Sequence, residues 1–313
     1  MSGFHPDLLA ARGLPRVPVT AQEIAALQAG EPVGLPAPPD VAIDDIDAPG
    51  AWGAPSVRLR VYRPRPSAPG RRPALYWMHG GGYLSGSPES DDAAMIGLVR
   101  TLGLVAVSVR YRLAPRHPAP AAVEDAYSGL AWTWAHAAGL GIDEQRIAIG
   151  GGSAGAGLTA SLSHLVRDRG EYAPVFQLLI EPMLDDRTAI RTDLDTEFVR
   201  GWEAPSNRFA WTAYLGQEPG LPEVPAYAVP GRRADLSGLP PAWIGVGTLD
   251  LFVDEDLDYA RRLSAAGVPC ETLVVPGAFH GFESIYPDAP VSREFLAAAA
   301  RALGAGLGIV GAS

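Results

Sequence analysis

The order of apolar and polar residues divides the chain into short strands and longer helices. Ser56-Val-Arg-Leu-Arg-Val-Tyr62 alternates, which predicts a half-exposed edge strand. Ala74-Leu-Tyr-Trp-Met78 and Leu104-Val-Ala-Val-Ser-Val109 are apolar almost without a break, as strands buried on both faces should be. Further strands are expected at 146–149, 175–180, 242–246 and 271–275. Helical patterns fall between them, at roughly 89–102, 120–138, 154–168 and 254–266, with a last helix over 291–304. Strands alternating with helices predict an α/β fold: a mostly parallel central sheet flanked by helices on both faces.

Two stretches break the rhythm. Residues 1–55 are rich in Pro and Gly. Within them Thr20-Ala-Gln-Glu23 fits a capping box opening a short helix that Gly30 and Pro32 stop. The segment reads as a helical appendage with an irregular tail, outside the core. Residues 185–225 are polar, then aromatic (Phe198, Trp202, Phe209, Trp211, Tyr214), and read as a helical insertion between two sheet strands. No internal repeat is evident.

Composition narrows the function classes. With 313 residues, 47% of them hydrophobic, the chain can bury a large core as one large domain or two small ones. The formal net charge of -10 repels nucleic acid and anionic membranes, so neither is expected as a partner. Cys270 is the sole cysteine, which excludes an intramolecular disulfide and thiolate metal clusters. Its strand-like surroundings predict a buried, inert thiol. The start of the chain lacks a signal-peptide pattern, and no run of about 18 apolar residues occurs. A cytoplasmic protein is expected.

The loop Ile147-Ala-Ile-Gly-Gly-Gly-Ser-Ala-Gly-Ala-Gly157 carries two signatures. Gly150, Gly152 and Gly155 spell the phosphate-cradling G-x-G-x-x-G, and Gly151, Ser153 and Gly155 spell the G-x-S-x-G of a nucleophilic serine. A dinucleotide site needs an acidic residue about 20 positions on, at a strand end. Asp168 has the distance but falls in a helical stretch, and that reading leaves other strand ends unexplained. Open parallel sheets place function at the carboxyl ends of their strands. Those ends carry His79-Gly80-Gly81-Gly82, then Ser153, then Asp250, then His280. Ser, Asp and His in this order can form a triad. Ser153 needs a base to become nucleophilic, His280 can shuttle the proton, and Asp250 can fix the imidazole tautomer. The N–H groups of Gly81, Gly82 and Ala154 would hold the oxyanion. His79 is a rival base, but an orienting bond within its own loop suits it better. His117 reads as a loop residue, and His136 and His164 lie on helices at no zinc-site spacing, so no metal site is expected. Asp254 and Glu255 rival Asp250, but they open the next helix, where acids are favoured anyway.

The stretches HGGGY (79–83), YRLAPRHPAPAAVEDA (111–126) and GGSAG (151–155) resemble the bacterial hormone-sensitive-lipase-like esterases, an α/β-hydrolase family. Asp250-Leu-Phe-Val-Asp-Glu255 and His280-Gly-Phe282 are similar to that family's acid and histidine segments. The resemblance covers roughly residues 56–305. It implies a serine carboxylesterase that uses an acyl-serine intermediate and no cofactor. It also implies a catalytic domain over 56–313 and a cap built from residues 1–55 and the 185–225 insertion. Small, short-acyl esters are the expected substrates, with Tyr83, Trp202, Phe209, Trp211 and Phe282 as candidate pocket walls. An amidase or formamidase would use the same triad. A non-catalytic receptor of this fold usually lacks a triad member, and none is missing here. The edge near the last strand offers a place for a homodimer to pair. Three positions depart from the family: Gly152 stands for Asp or Thr, Arg116 for Glu, and Glu181 for something less polar. Glu181 should either face solvent or line the pocket.

Overall fold

The computed structural model describes residues 3–66 and 70–309. Its strands are β1 (Val41–Ala48), β2 (Val57–Pro64), β3 (Arg72–Met78), β4 (Val105–Arg110), β5 (Ile142–Gly152), β6 (Gln177–Ile180), β7 (Ala242–Gly247) and β8 (Cys270–Val275). They form one sheet in the order β1-β2-β4-β3-β5-β6-β7-β8. β2 runs antiparallel to both its neighbours, and every pairing from β4 to β8 is parallel. The helices are α1 (Ala21–Ala29), α2 (Asp92–Leu102), α3 (Ala121–Ala135), α4 (Ala137–Leu140), α5 (Ala154–Arg169), α6 (Ala204–Leu215), α7 (Val253–Ala265), α8 (Phe282–Ile285) and α9 (Pro290–Gly306).

The continuous apolar runs are the strands covered on both sides. Along β3 the side chains alternate between two cores, as a period of two requires. Ala74, Tyr76 and Met78 join the cluster under α3 and α5, while Leu75 and Trp77 join the cluster under α2 and α9. A third cluster lies between α5, α7 and strands β6 and β7. No described helix is long and apolar enough to cross a membrane.

The structure corrects the reading of three regions. The start of the chain, expected outside the core, buries Phe4, Leu8 and Ala11 in the cluster under α2 and α9 and Ile24 in the cluster under α3 and α5. Residues 41–48, expected to be irregular, form β1 and pair along their whole length with β2. β2 is therefore an inner strand and β1 the edge. Asp44, Asp45 and Asp47 hide β1 from a hydrophobicity pattern, but they face arginines: Asp47 accepts from Arg58 at 3.1 Å and Asp45 from Arg60 at 3.0 Å. Such cross-strand pairs stabilise an exposed edge that buries little. Cys270 is half-buried rather than buried, and desolvation pushes its thiol up to about 11, so it stays protonated. The capping box is present: Glu23 N–H donates to Thr20, and Glu23 accepts from Thr20 N–H at 2.8 Å.

The N-terminal segment and the insertion meet over the carboxyl ends of the strands. Arg16 donates to both oxygens of the buried Glu203 at 2.9–3.1 Å, and Val19 N–H donates to Ser206 at 2.9 Å. Gln28 ties α1 to the loops after β3 and β4 by donating to the Leu84 and Ala114 carbonyls at 2.8 and 2.7 Å.

Candidate active site

Ser153 occupies the single residue between β5 and α5. Its backbone is strained, with φ +54° and ψ -121°. A non-glycine residue stays there only where its surroundings hold it, and that strain is common at functional turns. The flanking glycines permit the turn. A Cβ on Gly151 would collide with the backbone of Gly155, and one on Gly155 with the carbonyls of Met78 and His79. Gly152 is different: a Cβ there would meet nothing closer than Trp77 at 4.0 Å.

His280 follows β8 and Asp250 follows β7, so neighbouring strands deliver both to Ser153. His280 Nε2 lies 2.8 Å from Ser153 Oγ, and Nδ1 lies 2.7 Å from Asp250 Oδ2. A carboxylate only accepts, so Nδ1 carries the proton and Nε2 is free to accept from the hydroxyl. Asp250 Oδ1 accepts from Phe252 N–H at 3.0 Å, which fixes the carboxylate plane. Burial by itself would lower the His280 pKa. The charge of Asp250, the hydrogen bond to it and the nearby Glu283 outweigh burial and raise it above 6.5.

The loop after β3 places Gly81 and Gly82 in left-handed conformations, φ +114° and +62°. Among the described residues, the N–H groups of Gly81, Gly82 and Ala154 donate to no backbone carbonyl. His79 organises this loop. Its Nδ1 lies 2.8 Å from Gly80 O, its ring stacks on Tyr111 at 4.2 Å, and Tyr111 Oη donates to its carbonyl at 2.7 Å. Burial pushes its pKa down to about 4. The rival acids are engaged elsewhere: Asp254 pairs with Arg191 at 2.6 Å, and Glu255 accepts from Leu184 N–H at 2.6 Å.

A family model described as the alpha/beta hydrolase fold matches residues 75–284. The chain belongs to the α/β-hydrolase family. Within it, the hormone-sensitive-lipase-like esterases are its kin. "Carboxylesterase NlhH" of Mycobacterium tuberculosis is 36% identical over 277 residues, covering 85% of this chain and 84% of that protein. "Carboxylic ester hydrolase LipN" of the same species is 36% identical over 253 residues, or 79% of this chain, but the match spans 65% of that protein's length. Among solved structures, "Bacterial Heroin Esterase" superposes with a TM-score of 0.86 at 38% identity, covering 97% of this chain and 98% of that one.

In this α/β hydrolase an open cleft of about 590 Å³ borders the loop at Gly81. Its walls are Val17, Val19, Ile24, Ala26 and Leu27 of the N-terminal segment together with Trp202, and Glu23 and Ser85 add polar groups. Trp202 packs against Gly82, where a Cβ would strike its ring. Of the five aromatic residues expected to wall a pocket, Trp202 is the one that lines this cleft. Tyr83 stacks on Tyr214 at 3.8 Å in the core, beside the fully buried Trp211. Phe282 packs on Phe295 at 5.0 Å in the core on the other face, and Phe209 is half-buried against the first core. Hydrophobicity marked these side chains correctly as apolar, but apolar side chains fill cores more often than they wall clefts. The aliphatic wall from the N-terminal segment was missed, because nothing in a Pro-rich stretch shows what it will cover.

Glu181 also departs from expectation. It neither faces solvent nor lines the cleft, but lies 2% exposed behind His280. Glu181, Asp250 and His280 present three potential ligand atoms within 4.8 Å of one another. The 2.7 Å from Nδ1 to Asp250 is hydrogen-bond length, and ligands of a tetrahedral zinc ion sit about 3.3 Å apart. The arrangement is that of a hydrogen-bonded group rather than a metal cage.

Proposed function

We propose that the protein hydrolyses small, short-acyl carboxylic esters through an acyl-serine intermediate on Ser153. Ser153 Oγ attacks the ester carbonyl as its proton passes to His280 Nε2. The oxyanion is held by the N–H groups of Gly81, Gly82 and Ala154, each such donor being worth about 3 kcal/mol. His280 then protonates the departing alcohol, and water repeats the sequence to release the acid.

The observation that carries this reading is the continuous chain Ser153–His280–Asp250, with links of 2.8 and 2.7 Å at a strained strand-to-helix turn. Ester hydrolysis is the activity named for its relatives. The short-acyl preference rests on the cleft, whose walls are mainly aliphatic side chains and one indole, with Glu23 and Ser85 as their polar members. The stretch that precedes β1 and the 185–225 insertion serve as the cap, while residues 41–48 of the expected N-terminal cap segment belong to the sheet, and the Arg16–Glu203 pair holds the two cap parts together. A series of p-nitrophenyl esters from acetate to palmitate, with the p-nitroanilide of acetate beside it, tests the reading. Turnover should peak at short acyl chains and be far slower for the anilide. Preference for palmitate, or faster anilide cleavage, would contradict it.

A further inference from the structure

Glu181 stands one residue past the end of β6, with φ +47°, a conformation that a glutamate keeps only when held. Two hydrogen bonds hold it. Its N–H donates to Gly245 O at 2.8 Å, and its Oε2 accepts from Gly281 N–H at 2.5 Å. Gly281 directly follows His280, so the second bond anchors the backbone that carries the imidazole. The same Oε2 lies 3.5 Å from His280 Nδ1, the nitrogen that Asp250 already engages. Oε1 has no hydrogen-bond partner.

The ionisable groups facing Glu181 are Glu283 on α8, Asp250 after β7 and Asp256 on α7, with His280 alongside, and burial holds the Glu283 and Asp256 carboxyls above their usual range as well. Among the described residues no arginine forms an ion pair with any of these four carboxyls. Two carboxylates this close in a dry site do not both ionise without a cation. Asp250 has the better claim to the charge, since Phe252 N–H and His280 Nδ1–H both donate to it. Burial, then Glu283 and Asp250, hold the Glu181 carboxyl well above the usual range, in the same direction.

We propose that Glu181 is a positioning residue that anchors the His280 loop as a neutral acid, without adding a second negative charge beside Asp250. The proposal rests on His280 acting as the base for Ser153. A second anion beside Nδ1 would favour the imidazolium and leave less of the neutral base at pH 7. An acid in its protonated form supplies the anchor and avoids that penalty.

Two variants test it on the full chain. Glutamine copies a neutral acid, because its carbonyl can still accept from Gly281 N–H. Glu181→Ala should lower kcat by roughly ten- to hundredfold with little change in KM, since the imidazole loses its fixed position. Glu181→Gln should recover most of that loss and keep the acid limb of kcat/KM within about 0.3 pH units of the wild type. A limb displaced downward by about one unit or more in Glu181→Gln would show an ionised Glu181 and overturn the proposal. So would an alanine variant as fast as the wild type, or a glutamine variant no faster than alanine. If Glu181→Ala does not fold, the glutamine limb decides alone. Ser153→Ala run in parallel separates the two ideas: turnover that survives it overturns the acyl-serine reading, whatever Glu181 does.

Discussion

Asp250→Asn probes the triad with one atom. Asp250 Oδ1 accepts from Phe252 N–H, and Oδ2 accepts from His280 Nδ1–H. In the variant the amide oxygen must keep the Phe252 contact, because the alternative sets an NH₂ against an N–H. The NH₂ then faces Nδ1 and donates to it. That forces the imidazole proton onto Nε2, 2.8 Å from Ser153 Oγ, so the base points a hydrogen at the nucleophile it should deprotonate. Reversing the tautomer breaks the amide contact in a site where Asp250 is 4% exposed. In triads of this kind the swap costs about 10⁴-fold in kcat, or about 5.4 kcal/mol of transition-state stabilisation. The assay is kcat for p-nitrophenyl butyrate at pH 8, with a thermal melt of the same preparation. The expected result is a loss of about three to four decades with a melting temperature near that of the wild type. A folded variant within tenfold of wild type would refute the argument. It would mean that Glu181, the other carboxyl near Nδ1, can serve as the acid.

Three further outcomes are expected. Because imidazolium cannot act as a base, kcat/KM should fall as pH drops through the His280 pKa, with a midpoint above 6.5 given the raised value; a rate constant flat down to pH 5 contradicts the assignment. Gly152→Ala should raise the melting temperature by about 1–2 °C, since the site has room for a methyl and glycine destabilises a strand through the unfolded chain; a fall would show a constraint that the local packing does not contain. Arg16→Ala leaves the buried Glu203 carboxylate unpaired, at a cost of about 1–3 kcal/mol. Its effect should appear chiefly in KM, and a loss confined to kcat would disconnect this bridge from substrate binding.

Much of this architecture can be read from sequence because the buried strands have no polar option. β3 and β4 lie between neighbours with helices on both faces, so nearly every position must be apolar. The strand ends are legible for a related reason: glycine, serine, aspartate and histidine following an apolar run have no packing role that explains them together. β1 escaped because an edge strand takes its stability from cross-strand ion pairs and backbone bonds, and its three aspartates resemble a loop. The cleft walls escaped because they depend on which distant segments meet. Arg16 and Glu203 are 187 positions apart, and no local pattern announces their contact. Glu181 could be singled out as odd, but its place behind His280 follows from the order of β6, β7 and β8 in the sheet, which one strand's sequence does not carry.

Covalent trapping decides whether Ser153 is the nucleophile. Incubation with diisopropyl fluorophosphate, followed by intact-mass and peptide mass spectrometry, should give one adduct per chain, located on Ser153. Ser153→Ala should give none and should lose ester turnover. An adduct on another residue, or undiminished labelling of Ser153→Ala, would show that Ser153 is not the nucleophile.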